Sequence, residues 1–231
     1  MLPSIYAVPL VESLQQRPTS VALWGEERAV LTRVAVGLAK KIDPAFLWFD
    51  IQRTGSAPAP WQHALEAEAG PGRLHVLEID EMRLDHGSGN AASSVLVRGS
   101  ESDSESLAFA DLMRVPERIR DVLLHADPAS PPRLVLLTNV ERASAAFEGR
   151  SGALRPYVEA FNSRGVTVLV TACGRPRENR HDLDLVLHVD GVRGGDDETA
   201  TVVCDGVRSS GSFPAIPPGT RYQARAFTRT T

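Results

Sequence analysis

Short apolar runs of strand length alternate along the chain with stretches in which apolar residues recur at helical spacing. The runs that predict buried strands are residues 21–24, 46–51, 74–79, 134–137, 166–171 and 183–189. Helical spacing is found in residues 27–41, 61–69, 107–125 and 154–164. Because strands and helices alternate, the pattern predicts an α/β fold with βα units around a mostly parallel sheet.

The pattern changes after residue 197. Three strand-like segments, separated by glycine and proline turns, predict an antiparallel β extension over about residues 198–228: 199–204, 212–216 and 222–227. Residues 86–106 are rich in Gly, Ser and acidic side chains, which predicts a mobile surface loop. A chain of 231 residues is expected to form a single domain, with its core in about residues 10–190.

Composition excludes some classes of protein. The net charge of −4 is not that of a protein that binds nucleic acid through bulk positive charge. Cys173 and Cys204 are the only cysteines, which favours a reducing compartment over a disulfide framework. No apolar run approaches the roughly 18 residues that span a bilayer, and the N-terminal segment lacks a signal peptide's features. We therefore expect a cytoplasmic protein that does not enter a membrane.

Lysine is nearly absent. Of the 25 basic residues, only Lys40 and Lys41 are lysines, and the other 23 are arginines. Both lysines fall at the end of the helix predicted over residues 27–41, where they suit the negative end of the helix dipole. Chemistry that requires a lysine at the start of this helix is therefore excluded.

The segment that follows the first predicted strand has the place of a phosphate-binding loop. That motif needs Gly, four residues, then Gly-Lys-Ser/Thr. Gly25 fits its first position and Thr32 its last, but Val30 and Leu31 replace the second glycine and the lysine. Glu26 and Glu27 add negative charge where phosphates would lie, and only Arg28 is placed to offset it. We expect a loop that is collapsed over the crevice.

The order of these segments resembles the RecA/KaiC-like branch of the P-loop NTPases over about residues 10–227. FLWFDIQ is similar to the strand that ends in the family's catalytic glutamates, and RLVLLTN to the Walker B strand. LRPYVEAFNSRGVTVLVTA, LDLVLHVDG and ETATVVCDGVRSSGS are similar to the elements that follow. The resemblance implies a three-layer RecA-like fold, with helices on both sides of the sheet.

The resemblance places altered residues at the family's functional positions. Asp50 falls where the first catalytic glutamate activates water, and Ile51 cannot supply a second one. Thr138, followed by Asn139, falls where the Walker B aspartate helps to hold Mg²⁺, and a hydroxyl and an amide are weaker magnesium ligands. The resemblance thus implies a hydrolysis-deficient protein that needs no cofactor and acts as a regulatory or interaction subunit. A divergent, slow ATPase that uses ATP and Mg²⁺, with Arg28 and Asp50, is the enzymatic alternative.

Arginines near two predicted strand ends provide a second alternative. Arg175, Arg177 and Arg180 follow one strand, and Arg142, Arg150 and Arg155 follow the preceding one. Arginine suits phosphate geometrically, so these residues are candidate DNA contacts of an accessory protein similar to recombinase paralogues. The competing interpretation is a solvated loop that nearby acidic residues neutralise, and no aromatic residues interleave with these arginines to stack on bases.

Other kinds of site receive little support from the sequence. His181 and His188 have opposite parity on a strand, and no compact metal-ligand spacing occurs. Cys173 follows a strand but has no histidine partner at a spacing that indicates catalysis. RecA-like domains commonly pack side by side, so the resemblance implies another copy of this chain or a RecA-like paralogue as the partner. An unrelated flavodoxin-like or Rossmann-like domain is a further alternative, but no GxGxxG follows the first strand.

Overall fold

The computed structural model describes residues 9–53, 59–80, 94–98, 104–107, 131–140, 155–174, 183–192, 199–207 and 219–225. The helices in these ranges are α1 (Pro9–Gln16), α2 (Arg28–Ile42), α3 (Pro60–Ala69) and α4 (Arg155–Asn162). The strands are β1 (Ser20–Gly25), β2 (Leu47–Arg53), β3 (Leu74–Asp80), β4 (Ser94–Arg98), β5 (Ser104–Leu107), β6 (Leu134–Thr138), β7 (Thr167–Cys173), β8 (Leu185–Val192), β9 (Thr199–Val207) and β10 (Arg221–Arg225).

All these strands belong to one sheet, in the order β10-β9-β8-β1-β7-β6-β2-β3-β4-β5. The six central strands, from β8 to β3, run parallel. An antiparallel pair extends the sheet at each end: β9 and β10 beside β8, and β4 and β5 beside β3. The prediction of an α/β fold with a mostly parallel sheet is confirmed.

The central strands are apolar on both faces because helices cover both faces. β1 and β6 are buried along their whole length, as expected of strands inside a parallel sheet. The main apolar cluster lies between the sheet and α2, where Val34 and Leu38 meet Leu23, Leu136 and neighbouring strand residues. On α4, Val158 and Phe161 are buried where the helix contacts β7.

The direction of each crossover explains this arrangement. The connections from β1 to β2 and from β2 to β3 move toward the β5 end of the sheet, and they contain α2 and α3. The connection from β6 to β7, which contains α4, moves the opposite way. Right-handed crossovers in opposite directions place their helices on opposite faces. Accordingly, α2 and α3 contact each other, and Lys40 Nζ donates to the carbonyl oxygen of Glu68 (2.6 Å) at the end of α3.

The described elements begin and end within a few residues of the predicted bounds, with two differences. The sequence pattern does not predict α1, which covers Pro9–Gln16. Within residues 86–106, predicted as a loop, the chain forms β4 and most of β5. Leu107, the first residue of the helix predicted at 107–125, is the last residue of β5, and residues 108–125 lie outside the described residues. The strand predicted at 212–216 also lies outside them, and the β extension is described as β9 and β10.

His75 on β3 supplies a test of this packing through pH. Its imidazole stacks on Phe49 with ring centroids 5.0 Å apart, and burial lowers the pKa of His75 from 6.5 by disfavouring the charged form. The unfolded chain therefore takes up a proton at about pH 6.5 that the folded chain does not, so acid favours unfolding. We predict that the free energy of unfolding falls as pH drops from 7.5 to 5.5, and falls less in His75→Phe. Urea titrations at both pH values measure it, and equal losses in the two proteins would contradict the assignment.

Candidate functional site

The carboxyl ends of β2 and β6 form the place in the sheet where a ligand crevice is expected. These neighbouring strands lead into connections that run in opposite directions, β2 toward β3 and β6 toward β7. Open α/β sheets bind ligands at such a switch point, outside the carboxyl ends of the strands. In the register between the two strands, Asp50 lies opposite Thr138, the last residue of β6. The structure therefore brings together two of the site residues that the sequence indicated.

Asp50 is the centre of a buried hydrogen-bond network, and its side chain is only 3% exposed. One carboxylate oxygen, Oδ1, accepts hydrogen bonds from Thr138 Oγ1 (2.5 Å) and Asn139 Nδ2 (2.5 Å). The other, Oδ2, accepts from Gln52 Nε2 (2.7 Å) and Gln62 Nε2 (2.8 Å). Gln52 is two residues along the same strand, and Gln62 lies in the first turn of α3. The carboxylate therefore connects β2, the end of β6 and α3.

Two further hydrogen bonds extend this network across the sheet. The indole nitrogen of Trp48, which is fully buried, donates to Thr138 Oγ1 (2.8 Å) while that hydroxyl donates to Asp50. Asn139 has a positive φ of 61°, and its backbone N–H donates to Thr171 Oγ1 (3.2 Å) on β7. Asparagine is among the non-glycine residues that adopt this conformation most readily. Asn139 thus ties the end of β6 to both neighbouring strands.

The occupancy of the Asp50 carboxylate determines what it can do chemically. Two carboxylate oxygens have about four lone-pair sites, and the four side-chain donors named above fill them. A general base must bring a lone pair within hydrogen-bond reach of the proton that it removes, directly or through one water. In this arrangement the Asp50 carboxylate has no lone pair available to accept such a proton. The network braces the crevice, and at least two of its hydrogen bonds would have to break before Asp50 could bind a metal or activate water.

The link between β1 and α2 is shorter than a phosphate-binding loop. β1 ends at Gly25 and α2 begins at Arg28, so only Glu26 and Glu27 join them, and both are exposed. The carbonyl of Glu27 already accepts the first helical hydrogen bond, from Leu31 N (2.9 Å). The carbonyl of Gly25 accepts one from Gly174 N (2.8 Å), at the end of β7. The backbone of this link already forms the hydrogen bonds of the strand end and of the helix start. It therefore does not form an open loop that could surround a phosphate group.

Close packing explains the glycine at position 25. A Cβ atom there would collide with the carbonyl oxygen of Val189 on β8. Gly25 is therefore explained by its approach to a neighbouring strand, without reference to a ligand.

The residues at the remaining positions of the degenerate loop lie inside the protein. Val30 and Leu31 are 4% and 1% exposed and belong to the apolar cluster beneath α2. Thr32, in the second turn of α2, is also buried, and its hydroxyl has no hydrogen-bond partner among the described residues. Arg28 is half-buried. A lysine in place of Leu31 would have to leave the core to reach a phosphate, which makes this position structural.

A second group of side chains that can form hydrogen bonds lies beside the carboxyl end of β1, on β1, β7 and β8. Trp24 and His188 are register partners, and their rings stack with centroids 3.8 Å apart and an interplanar angle of 19°. His188 Nε2 lies 3.2 Å from Asp190 Oδ1. Cys173 on β7 donates its thiol hydrogen to the carbonyl of Glu26 (3.2 Å) and pairs in register with Gly25, one residue out of phase with Trp24. Cys173 and His188 therefore project from opposite faces of the sheet, which excludes a catalytic pair of these two residues.

Gln52 and Gln62 belong to the site but are not among the candidate site residues that the sequence indicates. The position of Gln52, two residues after Asp50 on the same face of β2, could have indicated its contact with Asp50. Nothing in the sequence indicates the contact of Gln62, because it depends on how α3 docks on the sheet. Five of the six candidate DNA-contact arginines lie outside the described residues: Arg142, Arg150, Arg175, Arg177 and Arg180. The sixth, Arg155, is the first residue of α4.

The described residues include neither a candidate metal site nor a candidate membrane span. Within them, no group of three or more His, Cys, Asp or Glu side chains is placed to hold a metal ion. No described helix has the length and apolar character needed to cross a membrane. Neither a scan against protein-family models nor a search of curated proteins finds a match for this chain.

Replacement of Asp50 tests whether the network braces the fold. In Asp50→Asn, one carboxylate oxygen becomes an amide nitrogen that faces other donors, so at least one buried donor loses its acceptor. We predict that this variant lowers the free energy of unfolding by about 2–4 kcal/mol. Glu26→Gln, an exposed carboxylate-to-amide change nearby, should alter it by less than about 0.5 kcal/mol. Urea denaturation compares the two, and equal effects would show that the network contributes nothing to stability.

Asn139 allows its side chain and its backbone conformation to be tested separately. Both Asn139→Gly and Asn139→Ala remove the hydrogen bond to Asp50, but only alanine also resists the positive φ. We predict that Asn139→Ala is less stable than Asn139→Gly by about 1 kcal/mol. Urea denaturation of the two variants at neutral pH measures the difference. An alanine variant as stable as the glycine variant would contradict the observed backbone conformation.

Proposed function

We propose that this protein is a hydrolysis-deficient RecA/KaiC-like protein that acts by binding, as a regulatory or interaction subunit. The observation that carries the proposal is the state of Asp50. It stands at the position of the family's catalytic glutamate, yet its carboxylate is buried and accepts hydrogen bonds from four neighbouring side chains. The family assignment itself rests on the sequence resemblance.

The β1–α2 link supports the same proposal independently of Asp50. A triphosphate needs backbone amides that curve around it and a cation that reaches its terminal phosphates. This chain has a two-residue link with two exposed glutamates, and a buried leucine at the lysine's place. Both lysines lie at the far end of α2, where Lys40 caps α3. The local charge and shape therefore disfavour a nucleotide, and we propose that none is needed.

The proposal also covers the cellular location of the protein and its binding partner. Cys173 and Cys204 are both free thiols, as expected in the reducing cytoplasm that we propose as the location. The partner that we propose is a second copy of this chain or a RecA-like paralogue, because side-by-side packing is the mode of association that the resemblance implies.

The test is calorimetric titration with ATP and Mg²⁺, together with a sensitive assay of phosphate release. We predict no saturable heat and no phosphate release above the buffer background, for the native protein and for Asp50→Asn alike. The Asp50→Asn variant is the matched control for contaminating ATPases, which its substitution leaves unaffected. Hydrolysis that the native protein catalyses and Asp50→Asn does not would overturn the proposal and support the slow-ATPase alternative.

A further inference from the structure

The turns that lead into the parallel strands lie at the end of the sheet opposite Asp50, and they are rich in basic side chains. In the spatial order of the strands, Arg17 precedes β1, Arg164 precedes β7, Arg133 precedes β6 and Arg73 precedes β3. This row crosses four strand spacings, or about 19 Å. Helix α2 ends at the same end of the sheet, because it leads into β2, and it adds two lysines. We call these residues the basic edge: Arg17, Lys40, Lys41, Arg73, Arg133 and Arg164.

Positive charge exceeds negative charge along these turns. Four members of the basic edge are exposed: Lys40, Lys41, Arg133 and Arg164. The carboxylates in the described turns belong to Asp43 and Asp184, which are half-buried and accept hydrogen bonds from backbone N–H groups. Glu68, in the last turn of α3, exposes one further carboxylate next to Lys40. The described carboxylates are therefore too few to neutralise the basic edge.

The net charge of −4 does not cancel this local positive charge. The exposed Glu26 and Glu27 lie at the other ends of the strands, and β1 alone, with 6 residues, is about 20 Å long. This length is about twice the Debye length at about 0.1 M salt, beyond which exposed charges are largely screened. A ligand at the basic edge therefore meets a cationic surface.

The backbone holds the members of the basic edge in fixed positions. Arg133 donates its N–H to Asp43 Oδ2 (2.6 Å), and its carbonyl accepts from Thr167 N (2.7 Å). The carbonyl of Arg73 accepts from Trp48 N (2.9 Å). Because the Cα positions are set by the sheet, only the side chains lose freedom when an anion binds.

Exposed proline rings lie among these cations and indicate which kind of anion fits. Pro18, Pro44 and Pro71 are exposed in the turns before β1, β2 and β3. Their rings offer apolar contacts to a peptide whose carboxylates pair with the arginines. A nucleic acid would use only the cations, and the described turns expose no aromatic ring on which a base could stack. An acidic peptide therefore fits this surface better than a nucleic acid does.

We propose that the basic edge binds an acidic segment of a partner protein, in which carboxylates alternate with apolar side chains. The carboxylates pair with Lys41, Arg133 and Arg164, and the apolar side chains pack on the proline rings. The inference rests on the proposed role as an interaction subunit, and it assigns that role a surface and a partner chemistry. It does not depend on whether Asp50 is catalytic.

Fluorescence anisotropy of a short dye-labelled peptide, in which glutamates alternate with leucines and serines, tests the proposal with the full chain. We expect saturable binding that weakens as salt is added. The double variant Arg133→Glu and Arg164→Glu should bind about tenfold more weakly, because it places like charges across the contact. Arg221→Glu, the same charge reversal at an exposed arginine of β10, is the matched control and should bind as the native protein does. Equal urea midpoints of all these proteins would show that they are folded alike.

Two further peptides and a nucleic acid define the partner chemistry. A peptide with glutamine in place of glutamate should not bind measurably, and one with serine in place of leucine should bind more weakly than the original. The proposal is overturned if the native protein does not bind the acidic peptide, or if the double variant binds it at native strength. Single-stranded DNA of equal charge that binds more tightly than the peptide, and loses binding in the double variant, would also overturn it. None of these outcomes bears on ATP hydrolysis, so failure here is distinguishable from failure of the non-catalytic assignment.

Discussion

The hydrogen bonds to the Asp50 carboxylate are the interactions on which the arrangement of the crevice depends. Through them β2 is joined to the end of β6 and to the first turn of α3. A buried carboxylate is costly to desolvate, and several donors on the charged form offset that cost. Because Thr138 also accepts from Trp48, the network connects the polar crevice to the largest fully buried side chain of the core. A substitution of Asp50 is therefore expected to alter both the hydrogen bonds of the site and the packing around Trp48.

The same network joins three elements of the fold. Its donors are two glutamine amides, one asparagine amide and one hydroxyl. These neutral groups stabilise the charged carboxylate by donating hydrogen bonds to it. Around them, Leu31 is in the core, Gly25 is packed against Val189, and two exposed glutamates form the β1–α2 link. Each of these features has a sufficient structural reason.

Much of the fold could be predicted from the sequence, because apolar runs and helical periods are local signals. The central strands β1, β2, β6 and β7 and helix α2 are examples. The strands β4 and β5 could not be predicted, because they are short and lie in a segment rich in Gly and Ser, a composition that is typical of loops. They form by pairing with the edge of the sheet at β3, and this contact is not local in sequence. In the site, Asp50, Thr138 and Asn139 could be indicated from their places in the chain. Their mutual hydrogen bonds depend on the pairing of β2 with β6, and the contact of Gln62 depends on the docking of α3. No local pattern encodes either.

The central claim is that the Asp50 carboxylate is fully engaged with its four donors and stays so in the presence of nucleotide. Nuclear magnetic resonance of the side-chain amide groups of Gln52, Gln62 and Asn139 tests it directly. We predict amide hydrogens that exchange slowly with solvent and signals that do not move when Mg²⁺ and ATP are added at saturating concentrations. Rapid exchange of these hydrogens in the free protein, or a saturable shift of their signals on addition of Mg²⁺ and ATP, would contradict the account.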